Sequence, residues 1–80
     1  MKTKVVKVWI DNEAVYIQTS KGKVFNERFA DYPRLREALP LQRANFEYDN
    51  MGIRWEELDE DLSFNGFMRN STSLPQQISN

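Results

Sequence analysis

The sequence predicts an α+β fold: an antiparallel three-stranded meander, one helix, a second short hairpin and a terminal helical turn. Three observations carry that prediction. Residues 4–26 contain three short runs in which apolar side chains recur at every second position, separated by polar turns. Residues 31–39 change to helical spacing and stop at a proline. Residues 46–68 return to alternation, pass through a dense acidic run, and close on Leu62, Phe64, Phe67 and Met68.

The first run, Lys4 to Ile10, sets Val6, Val8 and Ile10 on one face against Val5, Lys7 and Trp9 on the other. Asp11-Asn12-Glu13 is a turn, because Asp and Asn bond their own backbone and tolerate left-handed conformations. In the second run Val15, Ile17 and Thr19 oppose Tyr16 and Gln18. Gly22 then supplies the positive φ of a tight hairpin turn, and Lys23 to Asn26 forms the third strand. Asp31 is expected to cap a helix with Pro33 in its first turn. Tyr32, Leu35, Ala38 and Leu39 make its apolar face, and Pro40 ends it near Leu39. Leu41 to Asn45 reads as a one-turn helix or a loop. Phe46 to Asp49 and Ile53 to Trp55 pair as a hairpin around Asp49-Asn50-Met51-Gly52. Trp55, Leu58 and Leu62 are the anchors that dock this second half onto the first sheet. Ser63 caps a last helical turn through Met68, so residues 1–68 form one domain and 69–80 a polar, mobile tail.

Composition narrows the functional classes. Eighty residues lie near the lower limit for a single apolar core, and an aromatic-rich 40% apolar fraction suffices for a modest one. With neither histidine nor cysteine, the commonest general base, the commonest zinc ligands and any disulfide are missing. No catalytic residue and no cofactor or metal is therefore expected. The net charge of −1 gives no global pull toward nucleic acid or an anionic membrane. No apolar run reaches the roughly 18 residues of a membrane helix. A cytoplasmic protein is expected.

The carboxylates Glu56, Glu57, Asp59, Glu60 and Asp61 are the most conspicuous cluster. Asp61, Ser63, Asn65 and Gly66 follow the ligand spacing of a calcium loop, but its twelfth position is Thr72 where a bidentate Glu is required. The run reads as a solvated acidic turn or as an acidic surface facing a basic partner. Arg34, Arg36, Arg43 and Arg54, with Lys21 and Lys23, are candidates for a basic patch near Trp9 or Tyr16. Those two aromatics lie opposite the valine face. Either the C-terminal segment wraps over them or they form an exposed interaction patch.

Three stretches resemble a family of small bacterial proteins, domain of unknown function 2442. They are VWIDNEAVYIQTSKGK, then YPRLREAL leading into QRANFEY, and GIRWEELDEDLSFNGFM with its Gly-x-x-Trp and acidic Leu-Asp-x-Asp-Leu. The family's pattern usually has a His where this chain has Arg54. The resemblance implies no assigned reaction. It implies a free-standing form here, encoded beside another small protein in an arrangement that suggests a toxin–antitoxin or similar regulatory pair.

Together these readings lead to a non-enzymatic protein–protein interaction module with a small protein partner encoded nearby. The candidate surface is Trp9, Tyr16, Arg54, Glu56, Glu57, Asp59, Glu60 and Asp61. The alternative is a domain sensing a small ligand or nucleic acid. An unpaired edge strand also allows a homodimer.

Overall fold

Two antiparallel three-stranded sheets face each other across one core in the computed structural model, which describes residues 4–70. The first sheet is the meander β1 (Val5–Ile10), β2 (Ala14–Thr19) and β3 (Val24–Arg28). A 3-10 turn at Phe29–Asp31, helix α1 (Pro33–Arg36) and helix α2 (Pro40–Ala44) lead to the second sheet. That sheet is β4 (Glu47–Tyr48), β5 (Gly52–Trp55) and β6 (Glu60–Ser63), followed by helix α3 (Phe64–Asn70). The expected tail lies, from residue 71 on, outside the described residues.

Strand β2 supplies the floor of the core. Val15 and Ile17 are fully buried, while Tyr16 and Gln18 on the opposite face are half-exposed, as period-two alternation requires. Ile53 and Trp55 of β5 and Leu62 of β6 descend onto this floor, with Phe29, Leu35, Phe64 and Phe67 filling the remaining space. Leu58 is a half-buried addition to that cluster, so all three anticipated anchors face inward. Ser63 Oγ accepts the Gly66 N–H at 3.0 Å and caps α3 as expected.

Five expectations are corrected. In β1 the register with β2 slips between Val5 and Lys7. The bulge rotates Val6 out to 58% exposure and turns Val5 inward beside Val8 and Ile10, reversing the face assigned to the first two valines. Strand β3 runs two residues past Asn26 to Arg28.

The single helix becomes two one-turn helices. Pro40 holds Leu39 extended at φ −76°, ψ 156°, because a proline disfavours helical backbone in the residue before it. Pro40 then occupies the first position of α2, and the Gln42 side chain accepts the Leu39 N–H at 2.9 Å. Leu39 and Leu41 are consequently 64% and 84% exposed and not part of the core. Asp31 does not cap α1, whose N-cap is Tyr32 without a side-chain bond. The last correction concerns the acidic run: Glu60 and Asp61 belong to strand β6, which converts the expected second hairpin into a three-stranded sheet.

Gly52 explains why the motif has glycine three residues before its tryptophan. A Cβ there would sit 2.5 Å from the Leu62 carbonyl oxygen and 3.0 Å from Ser63 Cα on the neighbouring strand. Backbone-to-backbone approach at this point lets β6 and the start of α3 close over the core.

Candidate interaction surface

The candidate residues separate into two surfaces. Trp9 and Tyr16 are directly opposed across β1 and β2 on the outward face of the first sheet. Their rings stack 5.4 Å apart and only 7° from parallel, and the Lys7 ammonium lies 5.1 Å from the Trp9 ring centre. The Tyr16 hydroxyl donates to Asp11 Oδ2 at 2.6 Å. Asp11 Oδ1 meanwhile accepts the N–H groups of Glu13 and Ala14 at 2.8 and 2.9 Å, fixing the β1–β2 turn. The Tyr16 hydrogen bond, helped by those backbone donors, holds the Asp11 carboxyl below its ordinary range. Through the same bond the carboxylate raises the pKa of the Tyr16 hydroxyl. The pair is thus clamped in place yet half-exposed, because the second sheet and the buried aromatics pack on the opposite, Val15–Ile17 face.

Arg54 lies on the exposed face of the second sheet, between Glu47 on β4 and Asp61 on β6. Its Nη1 reaches Asp61 Oδ2 at 3.2 Å, a solvated cross-strand pair contributing about 0–1 kcal/mol. Of the acidic cluster, only Asp61 shares this patch with Arg54 through a bond.

The rest of the cluster is the β5–β6 connection and its root. Asp59 takes φ 53° to close the loop, a conformation Asp tolerates better than most residues. Arg34 of α1 donates to the Asp59 carbonyl at 3.0 Å and approaches Glu60 Oε1 at 3.9 Å. Gln42 of α2 donates to Glu57 Oε2 at 3.1 Å. The Asp59 carbonyl and the Glu57 and Glu60 carboxylates therefore tie the loop to the two short helices, while Glu56, Glu57, Asp59 and Asp61 remain exposed as a solvated acidic turn. Among the described residues no three carboxylates converge as a cation site.

The anticipated basic patch is also divided. Arg34 and Arg54 are engaged with the acidic cluster, whereas Arg36 and Arg43 line a depression with Arg28, which sequence reasoning passed over. Arg28 stands opposite Ala14, one row beyond the Tyr16–Asn26 pair and on the same outward face. Extending the alternation of Val24 and Asn26 by one step would have found it.

The family model described as "Protein of unknown function (DUF2442)" matches residues 5–73. No curated protein and no solved structure matches the chain.

Proposed function

The chain belongs to the family of proteins of unknown function DUF2442, and from that premise we propose that it is a non-enzymatic protein–protein interaction module, the antitoxin-like member of a bacterial regulatory pair. The surface that meets the partner is the outward face of the first sheet, centred on Trp9 and Tyr16. One observation carries this reading: a large aromatic pair is held rigid by Lys7 and Asp11 on a face turned away from the core. Rigid, half-exposed aromatic side chains bury large area on binding at low entropic cost, as interface anchors do. The partner in this reading is a small protein encoded nearby, as the family resemblance implies.

The face is a better candidate than the open edge of the sheet. Strand β1 carries the bulge and an exposed lysine, the devices that discourage an edge from pairing with another chain. Self-association through that edge is accordingly the lesser route, and light scattering distinguishes a monomer from a homodimer.

Co-expression with the neighbouring gene product tests the proposal. The two are expected to co-purify, and the neighbour's toxicity is expected to fall. Failure of both would dismiss the reading. The Lys7–Trp9 contact lends support to the alternative, a domain sensing a small ligand or nucleic acid. A thermal-shift screen of metabolites and oligonucleotides addresses it, since a ligand that binds only the folded chain raises apparent stability.

A further inference from the structure

Beyond the row formed by Trp9, Tyr16 and Asn26, the outward face continues through Arg28 into a depression of about 420 Å³. Arg28, Arg36 and Arg43 line it together with Glu13. Arg43 is fixed by its backbone acceptors: its Nε donates to the Leu35 carbonyl at 2.8 Å and its Nη2 to the Arg36 carbonyl at 3.0 Å. Its Nη1 reaches the Asn12 carbonyl at 3.5 Å, and the guanidinium lies 4.8 Å from the centre of the Phe29 ring. Every one of those partners is neutral, so the charge of Arg43 is positioned but not compensated. Arg36 is offset by Glu37 alone, 3.3 Å away. Among the described residues the Arg28 guanidinium has neither an ion pair nor a hydrogen bond. Glu13 in the lining and Glu37 beside Arg36 thus stand against three guanidinium groups, with Asp11 in the adjoining depression.

We propose that this arginine-lined depression receives a carboxylate-bearing segment of the partner protein, so that the partner extends from the Trp9–Tyr16 pair to the Arg28–Arg36–Arg43 cluster. The inference rests on the pairing reading and adds the partner's chemistry: an acidic segment carrying apolar side chains. Charge complementarity supplies the acidic part, since guanidinium forks match carboxylates in geometry. The apolar part follows from Ile10 and Pro40 in the neighbouring depression, which adjoins the first at Asn12 and Arg43 and is lined also by Asp11. Pro40 lies in sequence between the exposed Leu39 and Leu41.

A nucleic-acid strand fits less well. Its evenly spaced phosphates would pass Asp11 and Glu13, which border the route between the aromatic pair and the arginines. The facing surfaces of Trp9 and Tyr16 are already stacked on each other and closed to a base. A peptide can place carboxylates only where the guanidinium groups are.

The experiment follows amide resonances of the isotopically labelled full chain. The probes are a short peptide of repeated Glu-Gly-Leu units, its Gln-Gly-Leu counterpart, and an oligothymidylate. The acidic peptide is expected to shift Asn12, Arg28 and Ala30 saturably, with the neutral peptide binding about fivefold more weakly or worse. Arg28→Glu is expected to weaken the acidic peptide by a similar factor. Arg28→Gln changes affinity in the same direction and guards against a folding effect of charge reversal. Equal affinity for both peptides, no saturable shift, no effect of either variant, or tighter binding of the oligothymidylate would each overturn the proposal. The titration needs no neighbouring gene product and the co-purification needs no peptide, so the two readings can fail separately.

Discussion

Trp9 and Trp55 both stand on β-strands beside an aromatic neighbour, yet they are put to different uses. Trp55 is completely buried, tilted 54° against Phe46, and its indole N–H donates to the Arg43 carbonyl at 2.9 Å. Trp9 lies flat on Tyr16, half-exposed, on a face where the core elements do not pack. The difference is one of covering. The inner indole joins the second sheet to α2 and the first sheet; the outer indole is supported only by its own sheet. One tryptophan holds the two halves together, and the other leaves an aromatic surface available for association.

The comparison is sharpest under truncation. Trp55→Ala is expected to cost about 3–5 kcal/mol, because it empties the largest buried site and leaves the Arg43 carbonyl without its donor. Trp9→Ala should cost less: its stacking on Tyr16 contributes about 0.5–1.5 kcal/mol beyond the partial area that Trp9 buries. Urea unfolding of the two variants measures both, and equal losses would break the distinction. The next effect is Gly52→Ala. Its new methyl group is forced into the β6 backbone, and a loss of about 1–3 kcal/mol is expected in the same assay.

The smallest effect comes from the half-buried Tyr32. Burial, followed by the nearby Glu27 carboxylate, pushes the Tyr32 hydroxyl from 10.0 up to about 12. The unfolded chain therefore ionises first. Stability from this group is complete below pH 10 and is lost as pH rises through about 12. Tyr32→Phe should flatten the alkaline arm of a stability-versus-pH curve, whereas an unchanged arm would remove Tyr32 from the account.

Much of this was legible in the sequence because inner-face residues obey strict local periods. Val15, Ile17, Ile53, Trp55 and Leu62 could all be assigned inward from alternation and from the motif around Trp55. What escaped depends on events that periodicity does not encode. A bulge exchanged Val5 and Val6, and a proline that was expected only to stop one helix also began another, exposing Leu39 and Leu41. Glu60 and Asp61 looked like loop because charge masked the strand that Leu62 anchors. On the binding side, the opposition of Trp9 and Tyr16 was readable from their strands, while their separation from Arg54 and the acidic run was not. The role of Arg34 and Gln42 in fastening that run arises from contacts 15 to 25 residues apart in the chain, where sequence pattern carries no signal.

The central claim, that the outer indole meets a partner while the inner one does not, is tested most directly by fluorescence. Replacing Trp55 with Phe leaves Trp9 as the chain's remaining tryptophan, and the reciprocal Trp9→Phe variant leaves Trp55. On titration with the neighbour-encoded protein, freed of its own tryptophans, Trp9 emission should shift to the blue and become shielded from a soluble quencher. Trp55 emission should stay blue and shielded throughout. Trp9 emission that remains unchanged at saturating partner would contradict the account.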